Sequence, residues 1–301
     1  MDIQISELIN TAEPHNVLNE VRHIIYMAFQ EFDFEPIYNI FQDVVRIFQG
    51  KYPGYRECTT EYHNLKHTTD TILAMIRLIH GAVLSGESLS QWNVTLGLIS
   101  VLFHDIGYIQ TSNDIWGTGA KYTLVHIQRG IEFMDHYFKE HGLTRDDFFT
   151  CRDIVSCTDI NVNMSHIQFK SEEIKLLGQM IGTADILGEV ADRAYLEKLL
   201  FLFYEFREGK FGFYSDELDL LKKTPRFYDV AQKRLQEELG GVNRYMLLHF
   251  KERWDIDKDL YQEYIEKNKS YLNNILKYHE KEYRNYLRRG GVVKKLDDKS
   301  P

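Results

Sequence analysis

Tyr62-His63-Asn64-Leu65-Lys66-His67-Thr68-Thr69-Asp70 leads into one of the two longest apolar stretches of the chain, residues 72–84, which ends at Ser85-Gly86. The pattern predicts a helix from near Leu65 to Leu84. If the helix takes in the whole motif, His63 and His67 stand one turn apart on a shared face, with Asp70 three positions on. Two imidazoles and a carboxylate arranged so suit a metal ligand held in orientation by an acid behind it. A pair of surface histidines is the competing reading of the same spacing.

Outward from this motif, helical periodicity continues almost everywhere. Residues 17–32 carry apolar side chains at Val17, Leu18, Val21, Ile24, Ile25, Ala28 and Phe29, the stripe of a helix packed on one side. Further helices are expected over Glu35–Phe48, Gln91–Phe103, 122–140, 146–156, 171–207 and 259–287. Segments 52–60 and 110–119, rich in Gly and polar residues, are expected as loops, the second lying over the site. Only five prolines occur in 301 residues, which leaves long stretches free of a residue that breaks helices. No run alternates as a strand would. The expected fold is all-α: one helical domain over residues 1–289, with a disordered tail at 290–301.

Composition limits the function. Hydrophobic residues make up 44% of the chain, ample for a sizeable core. The formal net charge of -9 offers no footprint for a nucleic-acid polymer, although a metal can reverse the local field for a small anion. Cys58, Cys151 and Cys157 lack metal-like spacing and read as reduced thiols of a cytoplasmic protein. No stretch is long and apolar enough to span a membrane, and no signal peptide is evident. The tyrosine-rich stripe of the last long helix reads as core, a helix contact or a homodimer surface. Phe201, Phe203, Phe206, Phe211 and Phe213 read as a cap on the core, with some lining a pocket. His136, His141, His166, His249 and His279 read as surface residues.

Two further positions carry chemistry. His104-Asp105 follows the apolar run 96–103, and a carboxylate there is expected to be partly buried. An ionised group buried without a partner costs several kcal/mol, so it calls for a cation or a hydrogen-bond network. Asp185 lies on the apolar stripe of its helix, in register with Ile174, Leu177 and Ile181. It needs an internal partner, either a metal or an arginine such as Arg193. Asp159 is similar, with a turn role equally open.

His67, then His104-Asp105, then Asp185 resembles the ligand order of the HD superfamily of metal-dependent phosphohydrolases. Tyr62-His63-Asn64-x-x-His67-x-x-Asp70 resembles the signature of class I cyclic-nucleotide phosphodiesterases within it. Thr158-Asp159, Ala184-Asp185-Ile186, Asn113 eight residues after Asp105, and His126-x-x-x-Gly130 extend the likeness. The resemblance implies an HD-type helical bundle with extra N- and C-terminal helices, its metal-binding core at about 60–210. It implies His67, His104, Asp105 and Asp185 as metal ligands, with Asp105 also catalytic as a bridge to a second ion. His126 would reach that ion or the phosphate, and His63 would protonate the leaving oxygen. Asp70, Asn113 and Asp159 would stand behind the ligands.

The cofactor so implied is a divalent metal, two ions of Mn, Fe, Zn or Mg, a range that suits a mixed N/O ligand set. The substrate would be a small nucleotide-like phosphodiester, a cyclic nucleotide included. A phosphomonoesterase or nucleotidase, and a non-catalytic metal-binding sensory module, are the alternatives. Departures from the family pattern bear on details. Ile106-Gly107-Tyr108-Ile109 replaces a His-Pro-Gly continuation, residues 122–125 offer no glutamate to orient His63, and only Gln232 and Gln236 stand where a base-binding glutamine is sought.

Overall fold

The computed structural model describes residues 5–299, and it is helical throughout. The helices used below are α1 (Pro14–Ala28), α2 (Glu35–Phe48), α3 (Leu65–Leu84), α4 (Gln91–Phe103), α5 (His126–Glu140), α6 (Arg145–Val155), α7 (Glu172–Val190), α8 (Tyr195–Gly209), α9 (Glu217–Lys233), α10 (Tyr245–Trp254), α11 (Leu260–Tyr278) and α12 (Val292–Lys299). Among the described residues there is no strand, only two isolated antiparallel bridges, Gln49 with Glu57 and Tyr55 with Thr111. Among the described residues no helix is long and apolar enough to cross a membrane.

The central element is α3. It is buried from His67 to Ala82 on nearly every side, as a helix apolar all round must be. Asn64 caps its start, the side chain accepting from the backbone N–H of Lys66 and His67. α7, α1, α10 and α4 pack around it, and α6 joins α4 to α7 on the far side. Because α3, α4 and α7 touch one another, the ends that carry His67, His104 and Asp185 are brought to one place.

Several expectations are corrected. The single helix expected over 171–207 is two helices, α7 and α8, with a turn at residues 191–194. Asp192 accepts the N–H of Ala194, and the side-chain amide of Asn268 donates to the carbonyls of Val190 and Asp192 at 3.0 and 2.9 Å. That turn returns α8 across the site. The helix expected over 259–287 ends at Tyr278 and continues only as short turns. The expected disordered tail, 290–301, is helical in α12, with Val292 buried against α8; residues 300 and 301 lie outside the described residues. The tyrosine stripe of α11 is largely core, Tyr261 and Tyr264 being buried within the chain.

His249 is not a surface residue. It is buried on α10 against His80 of α3, their Nδ1 atoms 3.1 Å apart. Burial, reinforced by Arg253, holds His80 down to about 4, and burial with Arg77 nearby holds His249 down to about 2. In the unfolded chain both titrate near 6.5. Their stabilising effect is therefore fully present above pH 6.5 and is lost as pH falls through 4 towards 2, by several kcal/mol for the pair. Thermal denaturation between pH 4 and 7 measures this. A His249→Leu chain should show a flatter acid-side decline in Tm, and an unchanged slope would refute the assignment.

Candidate active site

Four expected ligands meet. His67 occupies the first turn of α3, His104 caps the end of α4, Asp105 opens the following 3-10 turn, and Asp185 lies on the inner face of α7. The Nε2 atoms of His67 and His104 are 3.1 Å apart. Asp185 Oδ1 lies 3.0 Å from His67 Nε2 and 3.5 Å from His104 Nε2. Asp105 Oδ2 lies 3.4 and 3.3 Å from the same two nitrogens. Donor atoms held by one divalent ion at about 2.0–2.2 Å stand roughly 3.0–3.5 Å from one another. His67, His104 and Asp185 accordingly form a group able to hold a cation.

The electrostatics agree. Asp105 is 4% exposed, and Oδ2 has no hydrogen-bond donor. Burial works to raise Asp105 and Asp185, yet the imidazoles of His104, His67 and, for Asp105, His63 hold both well below the usual carboxylate range. Burial works to lower His104, yet Asp105 and Asp185 push it well above the ordinary imidazole value. The carboxylates thus draw a proton onto His104. The site favours positive charge between its acids, which a divalent cation could supply while leaving both imidazoles neutral. His104 Nδ1 faces the carbonyl of Val101 at 2.7 Å, which leaves Nε2 to face the cluster. Arg193, the alternative partner for Asp185, is exposed and takes no part.

His63 lies outside helix α3, before the Asn64 cap, rather than one helical turn below His67. Its ring is 6.2 Å from that of His67 and edge-on to it. Its orientation comes from α8. Glu205 accepts from His63 Nδ1 at 2.7 Å through one oxygen and from the backbone N–H of Tyr62 at 2.7 Å through the other. Burial lowers His63, but the bond and charge of Glu205, with Asp105 and Glu189, raise it to about 9. An acid to orient His63 is therefore present, supplied 142 positions away rather than by residues 122–125.

Tyr108 is sandwiched between His63 and His126, each pair of rings stacked with centroids 4.5 Å apart. Gly107 beside it has a definite reason: a Cβ there would come within 1.8 Å of the His126 carbonyl oxygen. His126 Nδ1 faces the Thr123 carbonyl at 2.8 Å, and Nε2 lies 3.8 Å from Asp105 Oδ1. Burial keeps this imidazole below its ordinary value.

Three positions expected behind the ligands do otherwise. Both Asp70 oxygens accept from Lys66 Nζ, at 2.6 and 2.7 Å, because the lysine one turn back is closer than the ring of His67. Asn113 is exposed in the 110–119 loop. That loop does not line the site: Thr118 is fastened to Glu208 by its N–H and hydroxyl, and Trp116 points to solvent. Asp159 lines the cavity, but its Oδ1 accepts from Asn161 N–H at 2.8 Å, so it builds a turn.

Glu189, unmarked in the sequence, is one turn after Asp185 with Oε1 4.0 Å from His67 Nε2. Burial, and the charges of Asp185 and Asp105, push it up to about 7. An acid four positions past Asp185 on the same stripe was the available signal.

The cluster lies at the floor of a cavity of about 570 Å³. Its wall includes the aromatic side chains of Phe206, Phe211, Tyr214 and Phe227, and also Lys223, whose ammonium is paired with Asp219 at 2.8 Å. Phe201 and Phe203 are core, and Phe213 is 97% exposed. Gln232 and Gln236 are exposed and do not line it.

No curated protein and no solved structure matches the chain. One family does, over more than half of its length. The matched stretch begins ahead of His63 and ends beyond Glu205, so the cluster, the His63–Glu205 pair and the stacked tyrosine all fall inside it. The chain, through residues 53–244, belongs to the Npun_R2479-like family.

Proposed function

We propose that the protein is a metal-dependent phosphohydrolase that cleaves a phosphodiester of a small nucleotide-like molecule. The observation that carries this reading is the separation of two functions around one cavity. Four side chains, His67, His104, Asp105 and Asp185, fit a divalent cation, while His63, paired with Glu205, stands beside them and has no ligand role.

A bound divalent ion would supply charge neutralisation at the phosphoryl oxygens and a more acidic water. The chain's own residues supply the rest. Glu205 holds His63 Nδ1, so Nε2 is the nitrogen left to face the substrate. As water adds to phosphorus, giving up a proton to solvent, and the bond from phosphorus to the leaving oxygen breaks, His63 gives that oxygen the Nε2 proton. Tyr108 fixes the tilt of both His63 and His126 by stacking, and His126 is within reach of a phosphoryl oxygen. The aromatic wall suits a flat heterocycle.

Assays with bis-p-nitrophenyl phosphate and p-nitrophenyl phosphate, with Mn added, discriminate the readings. The diester is expected to be turned over at least about tenfold faster, because the proposed site binds the transition state of an ester that carries two organic groups. Preference for the monoester would favour a nucleotidase. A preparation that retains metal by elemental analysis and cleaves neither would favour a sensory module.

A further inference from the structure

The aromatic residues of the cavity come from α8 and α9, but another part of its wall is aliphatic. Ile127 and Ile131 stand one turn apart on α5, Leu124 and Val125 lie just before that helix, and Ile160 and Val162 follow α6. Leu124, Val125 and Ile160 also reach the surface, 64%, 48% and 40% exposed. Each lines the cavity while open to water, so together they form an apolar lip rather than single side chains scattered over the surface. His126, which faces Asp105, opens α5 beside them, so this wall adjoins the metal cluster.

Polar side chains of the same wall are spent within the chain. Thr123, Ser156 and Thr158 donate their hydroxyls to the carbonyls of Ala120, Arg152 and Val155, at 2.7, 2.8 and 2.9 Å. Arg234 donates to the carbonyls of Cys157, Asp159 and Ile160, and the side-chain amide of Gln128 donates to Glu132. A polar group lodged here would give up water for little in return. An alkyl chain needs no partner, and each methylene it buries is worth roughly fourfold in binding.

We infer that the cavity also serves a second substrate class, phosphodiesters that carry an alkyl chain. The phosphate sits at the metal cluster, and the chain runs along Ile127 and Ile131 to the lip formed by Leu124, Val125 and Ile160. This rests on the diesterase reading above and extends it from nucleotide-like to amphiphilic substrates. The oxygen of water bonds to phosphorus and a proton of that water passes to solvent. The bond from phosphorus to the leaving oxygen breaks, and the alkyl group stays on the phosphate product. A cavity of about 570 Å³ is of the size that encloses most of a small organic ligand.

The p-nitrophenyl esters of methyl, butyl and octyl phosphate test the inference, because charge and leaving nitrophenolate are constant and only the retained chain grows. On the full chain with Mn added, and each compound below its micelle concentration, kcat/KM should rise at least about tenfold from methyl to octyl. Calorimetric titration with the products, methyl and octyl phosphate, should show the same order at one site per chain, whether or not any ester is cleaved. Leu124→Ser combined with Ile160→Ser alters only exposed positions, and should cut the octyl-to-methyl ratio by about threefold or more. Rates and affinities that stay level or fall from methyl to octyl, or a ratio unmoved in the double variant, would overturn the alkyl site. Chain-dependent binding with no ester cleaved would leave that site standing and sink the diesterase reading instead.

Discussion

An Asp105→Asn chain is expected to fold, to purify without its divalent metal and to lose phosphodiester hydrolysis by about a thousandfold or more. The substitution keeps shape and removes charge. In the wild type, Oδ2 is buried without a donor and lies 3.3–3.4 Å from both cluster imidazoles, while Oδ1 faces His126. Asp185 also faces the two cluster histidines, but among the described residues Asp105 is the one carboxylate that pairs with them and with His126 as well. Without its charge, the demand for a cation falls and the proton now drawn onto His104 loses its main cause. Elemental analysis and activity on bis-p-nitrophenyl phosphate measure the two effects. A variant that keeps full metal content would show that Asp105 is no ligand.

His63→Gln is expected to behave in the opposite way, keeping the metal and losing about 10²–10⁴ in kcat. The loss should be large for a diester with an alkoxide leaving group and small for a nitrophenolate, which departs without needing a proton. Glu205→Gln supplies the companion test. His63 must be protonated to act, so activity declines as pH rises through its pKa, which Glu205 raises to about 9. Neutralising Glu205 lowers that pKa, and the alkaline limb of the pH–rate profile should move to lower pH with metal content unchanged. Loss of metal in His63→Gln, or an unmoved alkaline limb in Glu205→Gln, would remove His63 from the proposed role.

Much of the site was legible because its signals are local. Asn64 ahead of an apolar run marks a helix start, and the run itself places His67 in the first turn. His104-Asp105 at the end of a buried helix, and Asp185 in register with Leu177 and Ile181, advertise acids that must find a positive partner. Local signals also misled. Asp70, three residues past His67, was expected to support it, but Lys66 stands one turn behind on the same helix and takes both oxygens. His249 carries no partner pattern in the sequence because its partner, His80, belongs to another helix.

By itself, then, the sequence determined the all-helical fold, through apolar spacing and scarce proline, and the kinds of donor available to a cation. Tertiary structure alone decided what surrounds those donors. Asn268 holds the turn after α7 from 78 positions away, and only because that turn returns α8 across the site does Glu205 meet His63. Likewise, the ring of Tyr108 lies between His63 and His126 because the glycine before it lets α5 approach. The physical reason is range: periodicity and caps act within a few residues, whereas a proton relay needs groups that only packing brings together.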